Sequence, residues 1–430
     1  MRRTEAKTVR LFVCGEKNQV GDDDSRVAGL YCSVMSTTQT LTAPTASLEG
    51  DQAKPHDARL VCLDVFRGLA VAGMILVDNP GSDDKAYWAI KHAEWNGWTP
   101  ADFIFPSFLF LVGVSMVFSF SARLRRGESR GQILFHAFQR SLILIAVGLF
   151  VNGFPFIGVD WHGFRFEGVT QRIALCYFAA AILVLWSNRR GQLIAIAACL
   201  LGYWAMLRFL PVPGFGLPGR DIPFMDQNGN IVAWLDRKLF MGHLYNGNRD
   251  PEGILSTIPA IATTLIGVLA GWWLRSGRSR GVIAIRMLLF GIFGLVAGEI
   301  WNVWFPINKN LWTSSFTLFS GGFALAFLAL LYWILEIKQW RGVWTMPILV
   351  FGMNAIAGFV VDSFVYGPGY TFTVKAADGT AILWHDAAQA RLLSLGTSAA
   401  NASLIYSVAA ILFCWVLLSL LWRKKIFIKV

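Results

Sequence analysis

The chain has 430 residues, 55% of them hydrophobic and only 15% charged, with a formal net charge of +11 and a mean hydropathy of +0.50. Soluble domains carry roughly 25% charged residues, so a soluble globular fold is excluded, as are a disordered chain, a coiled coil and a disulfide scaffold. The excess of 38 Lys and Arg over 27 Asp and Glu would suggest nucleic acid on a soluble face, so its distribution along the chain decides its meaning.

Residues 1–58 are polar, rich in Ser, Thr and Asp, and lack both a helical period and the apolar core of a leader peptide. They read as a disordered tail, and Met35 is a candidate start of a shorter product. From residue 59 the pattern changes. Ten stretches are apolar and long enough to cross a hydrocarbon core of ~30 Å: 60–79, 102–122, 134–152, 170–186, 193–210, 256–274, 282–303, 314–335, 343–363 and 403–422. None alternates like a strand of a membrane barrel. The expected fold is an all-α polytopic membrane protein of about ten transmembrane helices, with a tail over 1–58 and a transmembrane domain over 59–430. Cys14, Cys32, Cys62, Cys176, Cys199 and Cys414 show no C-x-x-C spacing, and four of them lie in or beside spans, where a thiol packs as a small hydrophobe.

The connections between spans differ in charge. Segments 123–132, 187–192, 275–281, 336–342 and 423–430 hold 15 basic and 2 acidic residues. The alternate connections, 80–101, 153–169, 211–255, 304–313 and 364–402, hold 10 basic and 12 acidic. By the positive-inside rule the first set faces the cytosol together with both termini, and the long connections face outward. Long outer loops are where an extracytoplasmic site would be built.

Charge within a span costs roughly 2.5–3.5 kcal/mol on insertion scales and calls for a reason. Span one holds Asp64 and Arg67, three apart and on one helical face, and ends at Asp78 and Asn79. Asp102 opens span two, where a carboxylate caps a helix. Arg140, Arg172, Arg286, Glu299 and Asp362 complete the set. For Asp64 and Arg67 a structural ion pair is an open alternative to a functional role. Of the six histidines, His56 lies in the tail, His136 near an inner span end, and His162, His243 and His385 in outer loops. His92 differs. In HAEWNGWTPADFIFP it precedes two interfacial tryptophans and a Thr-Pro-Ala-Asp helix start, beside the end of span one. An imidazole there is suited to proton transfer near neutral pH; a solvated loop histidine is the alternative.

RLVCLDVFRGLAVAGMILVDNPG, HAEWNGWTPADFIFPSFLFLVGVS and GVTQRIALCYF resemble the heparan-alpha-glucosaminide N-acetyltransferase family of transmembrane acyltransferases. The match continues in order through LPVPG, HLY, DPEGILSTI, PINKNLW, FGMNAI and RKKIFIKV, over about 59–430. The histidine and NKNLW blocks are specific, and L-D-x-x-R-G is shared with other membrane acyltransferases. The resemblance implies an enzyme that uses cytosolic acetyl-CoA to acetylate a sugar amine across the membrane, as the lysosomal member acetylates the terminal glucosamine of heparan sulfate. The family's essential histidine falls on His92, and its active-site asparagine on Asp78 or Asn79. The chain departs from the lysosomal member in carrying Arg249 for a tyrosine and Asp362 for a histidine, and in lacking its lumenal N-terminal domain. The last difference implies a bacterial-type protein of the inner membrane.

On that basis His92 is expected to take the proton of an acceptor amine or to be transiently acetylated, with Asp78 or Asn79 orienting its ring. Trp95, Asn96, Trp98 and Asp102 would shape the sugar end, and Arg172 would stand at the reaction centre. Asp250, Glu252, Asn308 and Asn310 are candidates for hydroxyl and ammonium contacts, with helix caps and loop hydrogen bonds as the alternative. Arg67, with Asp64, and Arg140 are candidates for contacting the acetyl-CoA arm or phosphates. Acetyl-CoA is expected as a donor substrate, with no metal and no nucleic acid; a homodimer is compatible with the family. A solute transporter would share the spans and buried charges, but transporters often repeat a half, and here the histidine block and L-D-V-F-R-G each occur once.

Overall fold

The computed structural model describes residues 59–82, 84–376 and 379–428, so the tail reading lies outside the described residues. Thirteen α-helices are present among them: α1 (Val61–Asp78), α2 (Ile104–Arg125), α3 (Arg130–Gly153), α4 (Val169–Trp186), α5 (Arg189–Phe209), α6 (Ile231–Phe240), α7 (Thr257–Leu274), α8 (Arg280–Asn302), α9 (Ser314–Tyr332), α10 (Thr345–Met353), α11 (Ala355–Thr371), α12 (Trp384–Ser394) and α13 (Ala399–Arg423). A two-stranded antiparallel hairpin, β1 (Thr373–Lys375) and β2 (Ala381–Leu383), separates α11 from α12.

Eight helices, α2–α5, α7–α9 and α13, are long and apolar enough to cross a membrane, and α10 with α11 makes a ninth if that bent pair is one span. The protein is a multi-pass helical membrane protein. α1 has the length of a span, 18 residues, but carries Asp64, Arg67 and Asp78. It is packed by α2, α9, α10, α11 and α13, so its charges meet protein groups rather than lipid.

The expected continuous span over 343–363 is corrected: the chain turns by 90° between α10 and α11. Asn354 occupies the break and is fully buried. Its amide donates to Ile426 O (3.2 Å) and its oxygen accepts from Ile428 N (3.0 Å), so the side chain serves the C-terminal segment. A polar side chain with competing partners is a physical cause for leaving the helix here.

Small residues set the closest helix crossings. A Cβ on Gly68 would lie 2.1 Å from Ile348 O, and one on Gly113 1.9 Å from Thr264 O, which fixes α1 against α10 and α2 against α7. Such backbone proximity is the usual packing device inside a bilayer, where apolar side chains gain little by leaving lipid.

The two ends of the bundle are segregated. At one end the 79–103 segment, the 154–168 loop, the 210–256 connection, the 303–313 loop and α12 meet through contacts such as Gly97 N to Ile307 O and His385 to Pro80 O. The opposite end gathers the arginine-rich turns, with Arg280 and Arg341 on Glu336.

Candidate active site

Pro100–Phe103 forms a one-turn 3-10 helix, with Thr99 as its N-cap and Pro at its first position, that leads into α2. Asp102 Oδ2 accepts from Thr99 N (2.9 Å) and from Ala93 N (3.2 Å), which folds the histidine loop back on the helix start. Its other oxygen, Oδ1, lies 2.8 Å from His92 Nδ1. The carboxylate is fully buried, whereas the His92 side chain is 41% exposed. Asp102 was expected at the sugar end; it instead serves as cap and ring partner together, because its two oxygens point to opposite sides of the turn.

Lys309 closes the group. Its Nζ lies 3.0 Å from His92 Nδ1, 3.1 Å from His92 Nε2 and 3.6 Å from Asp102 Oδ1. A carboxylate only accepts and an ammonium only donates. The imidazole that satisfies both carries its proton on Nδ1, toward Asp102, and a lone pair on Nε2. Two loops are joined to bring the lysine in. Asn308 Nδ2 donates to Asn96 Oδ1 (3.2 Å), Gly97 N to Ile307 O (2.8 Å) and Leu311 N to Asn308 Oδ1 (2.8 Å). Asn308 thus holds backbone and Asn96.

Asp78 lies within the electrostatic reach of His92, Lys309 and Glu252. Asn79 does not face the imidazole: its amide donates to Asp362 Oδ1 (2.6 Å) and Ile75 O (3.0 Å), because α11 packs along the end of α1. Asn79 as an orienting group for His92 is therefore corrected.

Behind these residues lies a second charged cluster. Arg165 Nε donates to Asp250 Oδ2 (2.7 Å), and its Nη2 reaches both Asp250 Oδ1 and Glu252. Tyr245 N and Glu252 N complete the Asp250 carboxylate. Each oxygen of Asp250 then has two donors and none left for a sugar hydroxyl, so its expected substrate contact is corrected. Burial opposes the charge of Asp250, but Arg165 holds it below the usual carboxylate range. Nearby, burial and the charges of Asp236 and Asp250 push Glu167 up to about 9, and burial with Asp250 pushes Asp236 up to about 7. Among the described residues neither oxygen of Glu167 has a hydrogen-bond partner, nor does Asp236 Oδ2. Arg172 is buried with its guanidinium 5.2 Å from the Trp312 ring and Nη2 on Gly253 O (3.0 Å) and Ser256 Oγ, while Nε and Nη1 have no hydrogen-bond partner among the described residues. Trp95 donates to Met225 O (3.0 Å) beneath the Arg249 guanidinium, and with Asn310 and Asp236 it lines a small cavity. Trp98 packs on Phe103 and Phe319.

The residues expected at the acetyl donor are dispersed. Arg67 Nη1 donates to Asp64 Oδ1 (3.0 Å) and Nη2 to Ser115 Oγ (3.0 Å), within the α1–α2 contact. Arg140 on α3 lies over the Tyr177 ring at 5.3 Å and reaches its hydroxyl at 3.4 Å. No hydrogen bond or ion pair connects Arg140 with Arg67 among the described residues.

The sequence profile of the heparan-alpha-glucosaminide N-acetyltransferase catalytic family matches residues 59–297. The chain belongs to this family. It is 31% identical to heparan-alpha-glucosaminide N-acetyltransferase of Mus musculus and 32% identical to that of Homo sapiens, in each case over 86% of this chain and 60% of the relative. The chain therefore spans 60% of the length of these curated relatives. The family profile ends before Lys309, and sequence reasoning had passed over this lysine while selecting Asn308 and Asn310 on either side. The signal was available: Lys309 is the one charged residue in the 304–313 connection, within the specific NKNLW block. Arg165, Glu167 and Asp236 were also passed over, as loop charges without a motif.

Proposed function

We propose that the protein is a transmembrane acetyltransferase that moves an acetyl group from acetyl-CoA to the amine of a glucosamine-type sugar on the far side of the membrane. The observation that carries this reading is the His92–Asp102–Lys309 group in a chain of the N-acetyltransferase family. Asp102, buried and held by two backbone N–H groups, fixes the ring, and the acceptor ammonium takes the place of the Lys309 ammonium at the Nε2 lone pair. Nε2 then takes the proton of the acceptor ammonium. The freed amine attacks the thioester carbonyl, the C–S bond breaks, the departing thiolate takes the first proton from His92, and the second proton lost by the nitrogen as the amide forms passes through the neutral imidazole to solvent. Alternatively, Nε2 itself accepts the acetyl group before passing it on.

Lys309 supplies a positive charge beside the reacting centre, where a tetrahedral oxyanion develops. Asp78 supplies negative charge for the incoming ammonium, and the exposed part of Trp98 offers a surface to the sugar ring. Arg67 and Arg140 remain the candidates for the donor arm. The charge asymmetry of the connections supports an active-site end outside the cytosol, with acetyl-CoA entering from the arginine-rich end.

The test is acetyl transfer to glucosamine by proteoliposomes with acetyl-CoA supplied on the side of the arginine-rich turns. Transfer that depends on His92 is expected; full activity in His92→Ala would refute the mechanism. Radiolabel retained on the protein without acceptor would select the acetyl-histidine route. A cysteine introduced next to His92 is expected to react with an impermeant maleimide only from the side opposite acetyl-CoA.

A further inference from the structure

At the arginine-rich end of the bundle, between the ends of α2 and α4, lies a cavity of about 420 Å³. Its apolar wall is made by Phe120 and Leu124 of α2, Leu185 and Trp186 of α4, and Trp272 of α7. Its polar rim is made in the turns, by Arg130 at the start of α3 and Asn188 at the cap of α5. Leu124 and Trp186 are exposed, and α3 and α5 are among the least buried spans. The cavity therefore opens on the lipid-facing perimeter.

The rim has positive charge that nothing nearby neutralises. Glu128 is the one acid of the 123–132 turn, and both its oxygens are taken, by Arg123 (3.1 Å) and Arg126 (3.1 Å). Among the described residues the Arg130 guanidinium has no hydrogen bond or ion pair. The facing turn, 187–192, adds Arg189 and Arg190 and no acid. Arg189 lies over the Trp272 ring at 5.6 Å, and the indole N–H of Trp272 donates to the buried Gln192 (3.2 Å), so this wall is fixed.

The floor decides what the cavity fits. Phe120 and Leu185 belong to a buried cluster with Val117, Tyr177, Ala180 and Ala181. Phe120 is separated from the start of α2 at Ile104 by about 24 Å of helix. That packing closes the cavity off from the His92 end, so a donor arm bound here would have no opening toward the reacting histidine. What suits a cationic rim over an apolar wall, open sideways to lipid, is an amphiphile with an anionic head. A zwitterionic head fits less well, because its ammonium would meet three arginines and no carboxylate.

We propose that this cavity binds one anionic phospholipid from the leaflet at the arginine-rich end. Its phosphate sits between Arg130 and Arg189, and its acyl chains leave over Leu124 and Trp186. The site is separate from the acetyl-transfer centre and does not depend on that reading.

The test is native mass spectrometry of the full chain in detergent, titrated with dioleoyl phosphatidylglycerol or dioleoyl phosphatidylcholine. The wild type is expected to retain one phosphatidylglycerol at concentrations where phosphatidylcholine is lost. Arg130→Gln is expected to weaken retention about fivefold, and Arg130→Gln with Arg189→Gln about 25-fold. Ser121→Phe, which fills the cavity without changing its charge, is expected to abolish it. Arg278→Gln, in a neighbouring basic turn that does not line the cavity, is expected to leave it unchanged. Equal retention of the two lipids, or equal losses in Arg130→Gln and Arg278→Gln, would overturn the site in favour of a diffuse attraction to the basic end. Displacement of the lipid by equimolar inorganic phosphate or adenosine bisphosphate would overturn it as well, by showing that the cavity reads a soluble phosphate. None of these readouts needs turnover, so a protein without transferase activity would sink the proposed function and leave this test intact.

Discussion

The bundle end that holds His92 contains two charged trios with similar ingredients and opposite character. His92, Asp102 and Lys309 bridge the loop before α2 and the loop before α9; Arg165, Asp250 and Glu252 bridge the loop before α4 and the loop before α7. In the second trio the carboxylate and the guanidinium consume each other, and two backbone N–H groups fill what is left. In the first, the buried Asp102 is equally well satisfied, but the His92 ring that it holds is 41% exposed, with Nε2 facing only the ammonium of Lys309. The two trios thus differ in what the buried carboxylate holds: a guanidinium consumed by carboxylates in one, an exposed imidazole in the other. Burial alone does not separate them.

Removing the ring breaks this contrast most severely. His92→Ala is expected to lower acetyl transfer by about 10²–10⁴-fold, the range for losing a general base, with little change in the thermal midpoint. The opposite pattern is expected of Arg165→Met, which leaves the buried Asp250 and the partly buried Glu252 without their guanidinium. Its expected cost is about 3 kcal/mol in stability, read as a loss of folded protein in detergent, while the protein that does fold retains the wild-type KM for acetyl-CoA.

Much of the fold and part of the site were legible in the sequence, for separable reasons. Span length and the charge difference between alternate connections are local properties, so the helices and the grouping of loops could be read directly. The break at Asn354 could not, because it depends on a hydrogen-bonded tie to residues 426–428 at the far end of the chain. The cap at Asp102 was visible in Thr-Pro-Ala-Asp, but a cap uses only one oxygen, and the partner of the other is set by the fold of the preceding loop. Sequence proximity offers Asp78 and Asn79 alike to His92, and it cannot show that α11 brings Asp362 alongside Asn79. Lys309 is separated from His92 by 217 residues, and only packing makes them neighbours.

Glu167 sharpens the comparison through pH. It stands beside the satisfied trio with both oxygens unpartnered, and it is raised from 4.5 to about 9. A carboxyl raised in the folded state keeps its proton there after the unfolded chain has lost it. Stability is then unaffected below the unfolded value near 4.5 and falls as pH rises toward about 9. The slope contributed by this one group is at most about 1.4 kcal/mol per pH unit. Thermal unfolding between pH 5 and pH 9 is expected to show a midpoint that falls in the wild type and falls less steeply in Glu167→Gln. Parallel curves would mean that Glu167 finds a partner or water in solution.

The mildest change tests the most specific part of the contrast, the role of Lys309. Its ammonium is not needed to satisfy Asp102, which already has His92, Ala93 N and Thr99 N. Nor is it needed to join the loops, which Asn308, Asn96 and Gly97 do. What remains for it is the charge it presents to Nε2 and to the acetyl oxygen as that oxygen becomes negative. Lys309→Met is therefore expected to reduce kcat about tenfold, or about 1.4 kcal/mol in barrier, with an unchanged thermal midpoint. Lys309→Arg, which keeps the charge but not the compact geometry, should fall between the two. If Lys309→Met instead lowered the midpoint and kcat together, the lysine would belong with Arg165 as scaffold, and the oxyanion would have to be stabilised by another donor among the loops around His92.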